Sequence, residues 1–116
     1  MKTTILYTNI DRNSDNGKKT LYRMMNAKET GRVIDLVGST VKLGEFVIFD
    51  RVTDEDPTTV MVFEVDGKLY GTISRSFIDV FGNFLEAGFE PSMIDEVKIG
   101  SSTSKKGRVF LTAEIL

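Results

Sequence analysis

Apolar positions between residues 42 and 116 follow two distinct periods. Phe46-Val47-Ile48-Phe49, followed by Val52, is a run of aromatic and β-branched types that predicts a strand over about residues 42–53. The polar cluster Asp54-Glu55-Asp56-Pro57-Thr58 breaks that run. Val60-Met61-Val62-Phe63-Glu64-Val65 predicts a second strand, and Leu69-Tyr70-Gly71-Thr72-Ile73 a third. Between them, Asp66-Gly67 predicts a two-residue type I′ hairpin, because both central residues of that turn need positive φ. Phe77, Val80, Phe81, Phe84 and Leu85 then recur at i, i+3, i+4, i+7 and i+8, the stripe of an amphipathic helix. Ser74 or Ser76 can cap its start, Gly88 can close it, and Pro91 prevents continuation. A last hairpin is predicted from Ile94–Ile99, a flexible basic loop Gly100–Gly107, and a strand from Val109. In that strand Val109, Leu111, Ala113 and Ile115 share one face, and Phe110, Thr112 and Glu114 the other.

The first forty residues are patterned more weakly. Thr3–Ile10 reads as an additional strand and Asp11–Gly17 as a turn or mobile loop. Lys18–Ala27 fits either strand or helix, and Ile34–Gly38 a short turn. The order strand, strand, strand, helix, strand, strand is that of the OB-fold, a five-stranded Greek-key barrel with its helix between strands three and four. Another five-stranded α+β sheet fits the same order. The expectation is one mainly β domain over residues 1–116, with residues 1–40 an N-terminal extension and 41–116 the barrel.

Composition narrows the chemistry. There is no cysteine and no histidine. Thiol chemistry, cysteine-ligated zinc and the commonest general base are therefore excluded. No catalytic role and no cofactor are expected. Asp50, Asp54 and Glu64 are oxygen ligands that could meet Mg²⁺, but nothing in their spacing fixes a site, and turn or surface roles account for them. No apolar run reaches membrane-spanning length, and the amino-terminal stretch is too short for a signal peptide, so a cytoplasmic location is expected.

Net charge is only -2, yet it is unevenly distributed. Residues 1–44 carry a balance of +4, residues 45–97 one of -9, and residues 98–116 one of +3. A basic surface can thus be assembled from the two ends of the chain, and basic surfaces favour polyanions. The alternative is charge that merely decorates a solvated surface.

Several segments in fixed order resemble the small single-stranded DNA-binding proteins of bacteriophages of Gram-positive hosts. They are Tyr22-Arg23-Met24-Met25-Asn26-Ala27, Ile34-Asp35-Leu36-Val37-Gly38, the Asp66-Gly67 hairpin with Tyr70-Gly71-Thr72-Ile73-Ser74, and Lys105-Lys106-Gly107-Arg108 before Leu111-Thr112-Ala113-Glu114. The resemblance covers about residues 18–116. It implies an OB-fold that coats single strands during phage DNA replication or recombination, in the cytoplasm of the bacterial host. Two departures stand out. The loop between the first two barrel strands, Asp54-Glu55-Asp56, would repel phosphate, and there is no tryptophan to stack on bases.

Sequence-tolerant binding of single strands needs a basic track for the backbone and aromatic faces for bases. Phe110 is the leading stacking candidate, opposite the Val109/Leu111/Ala113 face and beside the basic loop. Tyr70 is second and Tyr22, among Lys18, Lys19 and Arg23, third; each has packing or interface roles as its alternative. Lys18, Lys19, Arg23, Lys105, Lys106 and Arg108 are the phosphate candidates, with Lys42 and Arg51 as additions to the set. Tyr7 is weaker because alternation puts it on one face with Ile5. Phe46, Phe63, Phe77, Phe81 and Phe84 are expected in the core, and Phe49 is undecided. Beyond DNA, a homodimer and replication or recombination proteins recruited by the acidic surface are expected partners. The competing reading is a small acidic protein-interaction or regulatory module.

Overall fold

A computed structural model describes residues 2–53 and 56–116 of the chain. In chain order the elements are β1 (Lys2–Thr8), α1 (Asp15–Met25), β2 (Gly31–Arg32), a 3-10 turn (Val33–Leu36), β3 (Thr40–Lys42), β4 (Phe46–Thr53), β5 (Asp56–Val65) and β6 (Lys68–Thr72). There follow α2 (Arg75–Glu86), a second 3-10 turn (Pro91–Met93), β7 (Glu96–Thr103) and β8 (Val109–Ile115). The molecule is mainly β, as expected. It has eight strands and two helices among the described residues, however, where the periodicity predicted one helix and a five-stranded barrel. No helix is long and apolar enough to cross a membrane.

The strands form two sheets, one in the order β1-β4-β5-β6-β2 and one in the order β3-β7-β8. β3 and β4 lie on one bent run of chain. Its first part pairs with β7, Val41 opposite Val97, and its second with β5, Phe46 opposite Phe63. Asn9 holds the bend between them. Its side-chain amide donates to the Gly44 carbonyl at 3.0 Å, and its carbonyl accepts the Phe46 N–H at 2.9 Å. Backbone groups turned out of the ladder are thereby satisfied, as buried polar groups must be.

Both faces of the larger sheet are covered. On one face Phe46, Ile48, Met61 and Phe63 pack with Phe77 and Phe81 of α2 and with Val97 and Ile99 of β7. On the other, Val47, Phe49 and Val62 pack under Leu21 and Met24 of α1. This explains the unbroken run Phe46-Val47-Ile48-Phe49: a strand buried on both sides shows no alternation. It also settles Phe49, which is buried under α1.

The ambiguous segment Lys18–Ala27 is helical as far as Met25, and the helix begins earlier, at Asp15, within the stretch expected as a turn or loop. Leu21 and Met24 are the buried side, and the Ser14 hydroxyl accepts the Gly17 N–H at 2.9 Å as N-cap. Gly17 is required for that start, because a Cβ there would lie 1.7 Å from the Asp11 carbonyl oxygen. The Asp66-Gly67 turn is as predicted, with φ of 50° and 82° and Val65 opposite Lys68. The pairing of Tyr7 with Ile5 needs correction. A register shift between them turns Ile5 towards the α1 side and Tyr7 towards the α2 side. One extra residue reverses the alternation beyond it. Tyr7 there donates a hydrogen bond to the Glu86 carboxylate at the end of α2.

The last hairpin is longer and its loop shorter than predicted. β7 runs on to Thr103, and the Ser104 N–H donates to the Arg108 carbonyl at 2.8 Å, so residues 104–108 form a bonded turn. The acidic segment after β4 falls partly outside the described residues, which omit Asp54 and Glu55; Asp56 opens β5 and is exposed.

Candidate nucleic-acid interface

The covering of the larger sheet by α1 is incomplete, and the uncovered part is a groove of about 490 Å³. One wall is the end of α1, with Met24 and Met25. The floor is Phe49 and Arg51 of β4 with Val60 and Val62 of β5. The far side is made by Arg32, Ile34, Gly71, Ile73 and Leu111. Among its described lining residues the charged ones are Arg32 and Arg51, and none is a carboxylate. In a chain of net charge -2, that is a local excess of positive charge.

The groove's apolar lining is partly in water. Ile34 is 48% exposed and Ile73 is 65% exposed. Arg51 is held more firmly: its Nη2 donates to the Met25 carbonyl at 2.5 Å, and its guanidinium carbon lies 5.4 Å from the Phe49 ring centre. An arginine over an aromatic face is favourable, and the carbonyl at a helix end is a natural acceptor.

The predicted site residues fall into three places. Lys18, Lys19, Tyr22 and Arg23 all stand exposed on α1, with Tyr22 71% exposed. Lys18, Tyr22 and Met25 are three to four residues apart and so form one stripe, which leads into the groove at Met25. Lys105, Lys106 and Arg108 are exposed at the turn between β7 and β8. Phe110 follows, partly exposed and opposite Ser102. Leu111 lines the groove, so alternation turns Phe110 to the opposite face of the hairpin, and Val109 shares the groove's side.

Tyr70 is placed differently from these. Its ring stacks on buried Phe63, with centroids 5.8 Å apart, and Lys68 Nζ lies 5.3 Å from its centre. It also packs closely on Gly31, where a Cβ would come within 2.7 Å of the ring. Tyr70 thus belongs to the edge of the α2-side core.

Spacing analysis missed the groove residues Arg32 and Ile73, whereas Arg51, a charged residue in an apolar strand run, stands among the additional phosphate candidates. Arg32 and Ile73 had no local signal, since only the packing of α1 beside β6 makes them walls. Among the described residues no group of three or more His, Cys, Asp or Glu is placed to hold a metal.

A strand scaffold with an arginine-lined groove, and with exposed basic and aromatic segments on α1 and on the β7–β8 hairpin, has the features of a nucleic-acid-binding protein. The particular kind follows from comparison with known families. The model of the family described as Phage Single-stranded DNA-binding protein matches residues 2–116, and the chain belongs to that family. No curated protein and no solved structure matches it significantly.

Proposed function

We propose that this chain coats single-stranded DNA without sequence preference during phage DNA replication or recombination. The observation that carries this reading is the groove, whose charged lining is arginine alone among the described residues. Lys18, Lys19 and Arg23 on α1 and Lys105, Lys106 and Arg108 on the β7–β8 turn extend the positive track. Tyr22 supplies an exposed ring on the stripe that leads into the groove, and Phe110 a second ring on the outward face of the β7–β8 hairpin. Tyr70 contributes by keeping β6 and Gly31 in place at the edge of the core. Stacking rings beside positive charges suit sequence-tolerant binding.

The fold supports the same reading. β3 and β4 act as the two halves of one bent first strand, β4-β5-β6 is a meander, α2 follows the third strand, and β7 returns to pair with β3. That order supports an OB-type reading of the two sheets. Here the gap between β6 and β8 is spanned by α2, whose Ser76 hydroxyl donates to the Leu111 carbonyl at 2.7 Å.

The test is fluorescence anisotropy with labelled single-stranded DNA, duplex DNA and RNA across a salt series. Tight binding to single strands, weakening steeply with salt and stronger than to duplex, is the expected result. No binding to single strands at about 50 mM salt would sink the proposal.

A second surface supports the expected protein partners. Phe84 and Phe89 stack with centroids 4.5 Å apart, and Phe89 and Met93 are 50% and 59% exposed beside exposed Glu86 and Glu90. An apolar patch with acidic neighbours suits a basic replication or recombination protein. A homodimer would pair through an edge strand, β1 or β8, and sedimentation of the free protein checks it.

A further inference from the structure

Arg51 is half-buried, and among the described residues it has no carboxylate partner, because the ion pair found there is Arg75 with Asp79. Its Nε is fully buried and makes no hydrogen bond among the described residues. A guanidinium withdrawn from water without a counter-charge is destabilising. A leucine or methionine would cover Phe49 without that cost, so packing alone does not account for an arginine at this position.

The fixed end of the side chain indicates what it faces. Nη2 is committed to the Met25 carbonyl, and the guanidinium carbon lies over the Phe49 ring. Nη1 has no hydrogen bond among the described residues and Arg51 lines the groove, so Nη1 is the donor left to it. A planar guanidinium already held at two points loses little freedom on meeting an oxyanion. We propose that Arg51 binds a phosphodiester of single-stranded DNA at the groove floor, and that Arg32 on the rim meets the neighbouring phosphate.

A repeating anion fits better than a single one. The groove continues at Met25 into the Lys18–Tyr22 stripe of α1, so positive groups follow each other along a path. Exposed Ile34 and Ile73 offer apolar contact between them, suited to sugar and base. This proposal rests on the single-stranded DNA reading above.

The experiment measures oligo-dT affinity by anisotropy at several salt concentrations for the parent, Arg51→Met and Arg32→Gln, with a thermal melt of each. Arg51→Met keeps an unbranched stem over Phe49 and removes the charge. Each substitution should lower affinity about tenfold at about 100 mM salt and reduce the salt slope by about 0.7, the contribution of one phosphate on a single strand. A parent slope in Arg51→Met, accompanied only by a lower melting temperature, would show that Arg51 serves α1 packing and overturn the site. Should Arg51→Met not fold, exposed Arg32→Gln carries the test, and an unchanged slope there overturns it. A parent that does not bind oligo-dT at all removes the functional reading itself, whereas a binding parent with unchanged variant slopes removes only this site.

Discussion

Replacing Phe110 by alanine separates binding from packing at the residue best suited to stack on a base. Phe110 is 38% exposed on the outward side of β8, with Ser102 opposite it. Burying a whole phenylalanine contributes about 1.5–3 kcal/mol, so the covered part of this ring contributes about 1–2 kcal/mol to folding. The melting temperature should therefore fall by about 5–8 °C. A truncation in the α2-side core is a sharp contrast: Phe63 is fully buried, and Phe63→Ala should cost about 3–5 kcal/mol. A domain with about 5–15 kcal/mol of stability survives the loss at Phe110 and remains folded at 25 °C. Any drop in affinity then reports on the ligand. Loss of one stacked base costs about 1–3 kcal/mol, or about 5- to 150-fold in Kd. The assay is anisotropy with oligo-dT at fixed salt, paired with a thermal melt. Tyr22→Ala is the companion, because at 71% exposure its stability change should stay within about 0.5 kcal/mol. If Phe110→Ala lowers the melting temperature as calculated yet binds within twofold of the parent, Phe110 is a packing residue. If Tyr22→Ala alone is impaired, DNA follows the α1 side and leaves the outer face of β8 empty.

Three further outcomes follow from the scaffold. Asn9→Ala removes two hydrogen bonds at the bend before β4 and should destabilise by about 2–3 kcal/mol, seen as a lower urea midpoint with an unchanged slope. Gly17→Ala sets a Cβ against the Asp11 carbonyl, so the start of α1 must shift; circular dichroism should show lost helix, and oligo-dT affinity should fall with it. The Glu86 carboxylate accepting the Tyr7 hydroxyl, then burial, then the Glu86 charge, hold the Tyr7 phenol pKa above its ordinary 10.0. The folded state thus favours the neutral phenol, and that stabilisation is complete below pH 10 and lost as pH rises through the raised value. In urea denaturation, parent and Tyr7→Phe should converge in stability above about pH 10.

Strand β4, the Asp66-Gly67 turn and α2 were legible in the sequence because each is specified by neighbours in the chain. An apolar run, a pair of residues tolerant of positive φ and a 3.6-residue stripe act locally. The same holds for the basic ends of the chain and for the missing histidine and cysteine. α1 was less legible. Its two buried side chains, Leu21 and Met24, make sense only against the sheet face that receives them. Short β2 and β3 exist because β6 and β7 offer free edges for pairing, which local propensity cannot show.

The candidate interface divides in the same way. The residue types for a single-strand binder, lysines and arginines beside Tyr22 and Phe110, were readable from the sequence, together with the family they resemble. Which of them share a surface was decided by the tertiary structure. One shifted residue in β1 separates Tyr7 from Ile5. Stacking on Phe63 commits Tyr70 to the core edge, and strand alternation turns Phe110 away from the groove that Leu111 lines. Arg51 becomes a groove residue only because α1 stops at Met25 and leaves the rest of β4 uncovered. The sequence by itself determined that strands, one amphipathic helix and two basic segments would form. The meeting of α1, β4, β6 and β8 determined where a charged strand of DNA can lie, because a groove is a property of surfaces brought together across the chain.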